Sequence, residues 1–248
     1  MLKIGNVRLG EVPRVVLGIV GNYSTLSLAA KSGVNIFEAR VDQFEPVDTV
    51  FVVNEIKAIR KLDLPIIGTV RSKKEGGKAN LSDSRRIALY EKISPLVDAI
   101  DIELYSSETV KKEIKAMARK NGNVVIFSYH NFGKTPSEGE LDRILKEAKS
   151  EGADIVKIAT FGESDSDITR LFEFTVKNKS KNLATISMGA RGSISRLLFL
   201  LAGSLMTYSS VEPSNGQIPI DDLVQHLRMY YPRFNEEIIS RLELLEYV

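Results

Sequence analysis

The chain has 248 residues, 34 Lys and Arg against 32 Asp and Glu, two His, and neither Cys nor Trp. A net charge of +2 leaves no basic excess to neutralise phosphates, which argues against a nucleic-acid partner. The absence of Cys excludes disulfides, thiolate zinc sites, iron–sulfur clusters and a cysteine nucleophile, and two His are too few for a histidine-rich metal site.

Segment 2–9 reads as a β-hairpin with Gly5-Asn6 at its turn. Charges at Lys3, Arg8 and Glu11 interrupt any signal-peptide core, and the longest apolar run, 197–202, is far too short to span a bilayer. A cytoplasmic location with no membrane partner is therefore expected. The first long strand covers 15–20. The turn after it, GIVGNYS, has glycines at 18 and 21 only, a poor match to a dinucleotide-binding fingerprint.

The next strand, 34–41, carries Glu38 and Arg40 two apart, so both share a face with Ile36. Phe37, Ala39 and Val41 on the other face suit packing under a helix, so the strand is not a solvated edge. Glu38 and Arg40 are expected to satisfy each other inside a barrel. Helix 49–62 repeats Val52, Val53, Ile56 and Ile59 at helical spacing. Strand 65–71 ends in Arg71, and Glu75 with Gly76-Gly77 opens a loop that either folds over a ligand or is a plain surface turn.

Helix 81–93 carries Ile87, Leu89 and Ile93. In strand 99–104, Asp101 and Glu103 share one face and need positive partners, which Arg71 and Lys157 on neighbouring strands can supply. Strand 124–130 ends in His130. Helix 137–152 starts after Pro136 and ends at a glycine. Strand 154–159 then places Lys157 inside the apolar run ADIVKIAT, where a charged lysine must be paired or have a lowered pKa.

His130 and Lys157 end consecutive strands, so their side chains are expected to be neighbours across the mouth. Taken singly, His130 reads as a structural histidine, whereas for Lys157 a rim lysine stretching to water is the lesser alternative. Together they point to covalent amine catalysis with a general acid/base. Strand 183–188 leads into ISMGARGSISR. There Arg196 either pairs on a helix surface or offers its planar fork to a substrate carboxylate. After strand 204–211, Ser214, Asn215, Gly216 and Gln217 form a polar turn suited to a lid.

The strand ends stand 21 to 33 residues apart, one strand and one helix per step, eight times over. With no linker or composition break, residues 1–248 are expected to form a single (β/α)8 TIM barrel preceded by the hairpin.

The ordered set FEARVD, TVRSKKEGG, DIEL, SYHNF, VKIA, SMGARGSISR and NGQI resembles type I 3-dehydroquinate dehydratase over nearly the whole chain. The resemblance implies a lyase of the shikimate pathway that dehydrates 3-dehydroquinate to 3-dehydroshikimate through a lysine imine. It implies no metal or organic cofactor, and a homodimer. Lys157 then matches the imine-forming lysine, His130 the general acid/base and Glu75 its acidic partner. Glu38, Arg40, Arg71, Arg196 and Gln217 match substrate-binding positions, and Phe132 and Met188 match pocket walls. Two positions depart from the family pattern: Pro213 stands where a lid serine is common, with Ser214 one step on, and Gly18 replaces a serine of the first strand. A class I aldolase also uses a barrel-strand lysine, but the loops after strands seven and eight lack a Gly-rich phosphate cradle. A silent barrel that only binds a small acid or a protein would not need both His130 and Lys157.

Overall fold

Gly5 adopts φ +54°, the left-handed backbone that lets β1 (Lys3–Ile4) and β2 (Val7–Arg8) fold back as an antiparallel pair. The computed structural model describes residues 1–20, Leu26, 33–210 and 216–246. Beyond the hairpin, eight strands run parallel: β3 (Val15–Ile19), β4 (Ile36–Arg40), β5 (Ile66–Thr69), β6 (Ala99–Glu103), β7 (Val124–Asn131), β8 (Ile155–Phe161), β9 (Leu183–Met188) and β10 (Thr207–Ser210). Their order is β10-β3-β4-β5-β6-β7-β8-β9, each paired in parallel with its neighbour in the chain, and β10 returns beside β3. Between β9 and β10 the regular ladder stops, and two bonds close the ring. The Leu205 N–H donates to the Leu183 carbonyl (2.7 Å), and the Thr185 N–H donates to the Ser204 hydroxyl (3.0 Å). This is the TIM barrel with its hairpin, as the spacing of the sequence predicted.

The two-residue period of a strand decides what lies inside. At the N-terminal end the barrel is filled with apolar residues: Val16, Ile36, Ile67, Ala99, Ile126, Ile155 and Ala184 on seven strands, and Met206 just before β10, pack with Ile4 and Leu9. The hairpin thus plugs that end. Two residues further along, the inward positions include Glu38, Thr69, Asp101, Ser128 and Lys157, all buried. The outward residues Phe37, Ala39, Ile100, Ile102, Phe127 and Ile158 meet the helices in a second core.

The helices begin and end on local chemistry. Helix α1 (Thr49–Ile59) is capped by the Asp48 side chain, which accepts from the Val50 and Phe51 N–H groups. It buries Val52, Ile56 and Ile59, while Val53 is only half-buried. Helix α2 (Asp83–Ile93) buries Arg86 and Tyr90 alongside Leu89 and Ile93, a face that the apolar spacing alone did not show. Helices α3 (Glu108–Asn121), α4 (Glu138–Ser150) and α5 (Asp165–Lys177) follow, the last two starting in capping boxes on Ser137 and Ser164. Past β9 come the single turn α6 (Gly189–Gly192) and α7 (Ser195–Leu201), and past β10 come α8 (Ile220–Tyr230) and α9 (Pro232–Glu246). Among the described residues no helix is long and apolar enough to cross a membrane.

Candidate active site

A cavity of about 480 Å³ opens at the C-terminal ends of the barrel strands, where the strand-to-helix loops converge. Lys157 lies at its floor. The strand that carries it runs on to Phe161, so Lys157 sits two inward positions below the rim and does not end its strand as the sequence suggested. The residue paired with it in register on β7 is Ser128, and His130 stands two residues higher. This is why both face one cavity at different depths.

The buried charges answer one another. The Lys157 Nζ donates to Glu38 Oε1 (3.1 Å) and Asp101 Oδ2 (3.2 Å), and lies 4.2 Å from the centre of the Tyr208 ring. Arg71 reaches Asp101 (2.9 Å), Glu103 (3.3 Å) and the Ser128 hydroxyl (2.7 Å). Arg86, projecting inward from α2, pairs with Glu103. Three carboxylates thus face three cations, which offsets a desolvation cost that no single buried charge could bear. Burial alone would raise the Glu38 carboxyl, but Lys157 and Arg40 hold it below its ordinary value. Burial acts the same way on Asp101, and Arg71 with Lys157 brings it well below the usual range.

The expected Glu38–Arg40 pair does not form. Glu38 is taken by Lys157 and by the Thr69 hydroxyl (3.0 Å). Arg40 instead donates Nε and Nη2 to Asp42, both at 3.0 Å. Side chains two apart on one strand point alike, but each finds its partner on another strand or past the strand end. Asp42 is buried and also accepts the backbone N–H groups of Arg71 (3.2 Å) and Lys78 (3.1 Å). It therefore ties Arg40 to the loop that carries Glu75.

That loop delivers Glu75 to His130. Glu75 Oε2 accepts from the His130 backbone N–H (3.1 Å) and lies 2.9 Å from its Nδ1. An oxygen already accepting one N–H favours the tautomer with hydrogen on Nδ1, leaving Nε2 as the acceptor. Among the described residues Nε2 carries no hydrogen bond, and His130 lines the cavity. Burial lowers His130 well below its ordinary value, and Arg71 and Lys157 push the same way. Burial likewise pushes Glu75 up to about 8. At neutral pH the two therefore meet as uncharged groups.

Phe132 stacks beside the His130 ring, centroids 6.4 Å apart and planes within 15°, and is half open to solvent. Gly76 (φ +85°) lies so close beneath it that a β-carbon there would stand 2.6 Å from the Phe132 ring. Gly76 is therefore part of the site wall, while Gly77 packs against the Arg71 and Ser72 backbone.

Arg196 is buried from α7, and its Nη1 donates to the Ser187 carbonyl at 3.2 Å. Its Nε is buried without a partner, no carboxylate among the described residues lies within salt-bridge distance, and burial lowers its guanidinium to about 10. An uncompensated buried cation on the wall of a cavity is a site for an anion. Met188 and Gln217 also line the cavity. The Ser210 hydroxyl donates to Gln217 Oε1 at 3.0 Å, and Gly216 (φ +84°) packs where a β-carbon would meet the Gly189 carbonyl at 2.3 Å. Pro213, Ser214 and Asn215 lie outside the described residues.

The sequence reading passed over Asp42, Thr69, Ser128, Arg86 and Tyr208. Ser128 had a signal, sitting two before His130 on the inward face. Asp42 had a weaker one, as the acid that closes FEARVD. Tyr208 lines the cavity beside Lys157, and its hydroxyl is buried without a partner. Burial pushes that hydroxyl well above its ordinary value.

The sequence profile of the family described as Type I 3-dehydroquinase matches residues 22–233. The chain is 35% identical over 220 residues to 3-dehydroquinate dehydratase of Thermodesulfovibrio yellowstonii, covering 87% of this chain and 95% of that one. It is 38% identical over 217 residues to the Klebsiella pneumoniae protein of the same name, covering 83% and 85%. Its fold is similar to the crystal structure of type I 3-dehydroquinate dehydratase from Clostridium difficile, which holds covalently modified comenic acid. The TM-score is 0.84 and the identity 31%, over 92% of this chain and 96% of that one.

Proposed function

The chain belongs to the type I 3-dehydroquinase family, and we infer that it dehydrates 3-dehydroquinate to 3-dehydroshikimate through an imine on Lys157. It is a hydro-lyase of the shikimate pathway. The observation that carries the residue-level reading is the pairing, in one cavity, of a buried lysine with a histidine whose Nδ1 is held by Glu75.

In this reading the Lys157 amine, having given up a proton, attacks the C3 ketone. Loss of water then leaves a protonated imine, an electron sink that acidifies the C2 hydrogen. His130 Nε2 removes that proton while Glu75 holds the ring through Nδ1. The same histidine returns a proton to the departing C1 hydroxyl, and hydrolysis of the imine frees the enone. Among the described residues Arg196 has no acid of its own, and it would receive the ring carboxylate. Glu38, Arg40, Arg71 and Gln217 would hold ring hydroxyls, with Phe132 and Met188 as walls. Reduction with borohydride in the presence of dehydroquinate tests this: the substrate's mass should appear on Lys157, and an adduct on another lysine would overturn the assignment.

Gln217 supplies a smaller, separable effect. Its amide can donate and accept toward a ring hydroxyl, and an uncharged hydrogen bond contributes about 0.5–1.5 kcal/mol net. Gln217→Ala should therefore lower kcat/KM roughly threefold to tenfold without changing the thermal midpoint. Unchanged kinetics would remove it from the site, and a large loss of stability would make it structural.

We also propose a cytoplasmic homodimer, with all of residues 1–248 as one catalytic unit. What supports a second copy is an exposed apolar stripe at helical spacing, Ile194, Leu198 and Leu201, the last 70% exposed. Leu201→Glu should shift the sedimenting species from dimer to monomer. A wild-type protein already monomeric at micromolar concentration would end this part of the reading.

A further inference from the structure

Lys157 Nζ has three neighbours that can hold positive charge: Glu38 at 3.1 Å, Asp101 at 3.2 Å and the face of Tyr208 at 4.2 Å from the ring centre. An ammonium has three N–H donors and can serve both carboxylates. The iminium formed on this nitrogen has only one, so it can keep at most one of those bonds at full strength. The Tyr208 ring asks for no N–H, because a cation is attracted by the ring quadrupole. Its contact is the one that survives every cationic species at Nζ.

The rest of Tyr208 points the same way. The side chain is nearly fully buried and packs with Ile186 and Met206 in the barrel interior, so the ring is held before any ligand arrives. Its hydroxyl is buried without a hydrogen-bond partner, and so does not set the orientation of the ring. The structure uses the face of this side chain and leaves its polar tip idle.

We propose that the Tyr208 ring is a catalytic group that stabilises the iminium on Lys157 relative to the neutral carbinolamine before it. In that step the nitrogen lone pair closes the C=N bond, the C–O bond breaks, and the hydroxyl leaves as water with the proton that the Lys157 ammonium gave up to His130 before its attack. Positive charge appears at nitrogen only on the product side, and there it meets the π-face in a desolvated site. The inference rests on Lys157 being the imine lysine.

Isosteric ring substitution tests it. Phe, 4-fluoro-, 3,5-difluoro- and 3,4,5-trifluorophenylalanine placed at position 208 of the full chain keep the shape while draining the quadrupole. At saturating dehydroquinate, the fraction trapped by borohydride on Lys157 and kcat should both fall stepwise along the series. The drop from Phe to the trifluoro ring should be roughly tenfold, as expected for a desolvated cation over an aromatic face. A packing role would give a flat series, and a flat series with the adduct still on Lys157 overturns the ring's role alone. If wild type carries no adduct on Lys157, the imine assignment falls and takes this inference with it.

Discussion

Replacing Lys157 with alanine should reduce turnover by roughly four orders of magnitude or more, because among the described residues that line the cavity it is the one amine able to form the proposed imine. The substitution also leaves Glu38 and Asp101 without a cation they share. Removing one partner of a buried ion pair costs about 3–5 kcal/mol, so the thermal midpoint should fall as well. Lys157→Arg separates the two effects. It restores a cation between the carboxylates but has no amine to form an imine, so stability should recover while activity stays absent. Turnover near the wild-type rate in either variant would remove Lys157 from the chemistry.

His130→Ala should lower kcat by roughly 10²–10⁴-fold, the usual worth of a positioned general acid/base. KM should move little on the proposed reading, in which Arg196 and the other polar groups hold the substrate. Borohydride should still trap the imine on Lys157 in this variant. Turnover near wild type would make His130 structural.

The pH dependence follows from the same pair. His130 is held well below its ordinary value of 6.5 by burial, Arg71 and Lys157, so it stays a free base as the pH falls to that value. The acid limb of kcat/KM should therefore lie below pH 6.5. Glu75, raised by burial to about 8, is protonated below that pH and loses its proton above it. The carboxylate formed beside Nδ1 then holds the His130 imidazolium more firmly, so return of the proton to the leaving hydroxyl slows and activity should decline. Glu75→Gln should erase the alkaline limb, and a limb that stayed in place would assign it to another group.

Much of this could be read in the chain because period-two alternation exposes an expensive residue. Lys157 in ADIVKIAT, Glu38 in NIFEAR and Asp101 with Glu103 in DIEL all share a strand face with apolar neighbours. Charge in such a place must be answered nearby. The pairing of Asp101 with Arg71 and Lys157 was likewise expected and is present. The Glu38–Arg40 pair failed because spacing gives a shared face but not a partner. Glu38 turns to Lys157, 119 residues away, while Arg40 turns to Asp42.

The sequence by itself determined the eight strand–helix steps and the inward faces, since each depends on residues within one element. Only the tertiary structure decided which charges meet, how deep Lys157 sits below the rim, and which face of α2 goes inward. Arg86 and Tyr90 look like surface positions on a short amphipathic helix, yet Arg86 pairs with Glu103 and the Tyr90 hydroxyl donates to the Asp101 carbonyl at 2.6 Å. Tyr208 reaches Lys157 only because the ring of strands closes β10 against β3. The reason is geometric: strand register and barrel stagger are collective properties of the closed sheet, and no window of sequence encodes the distance between residues that closure brings together.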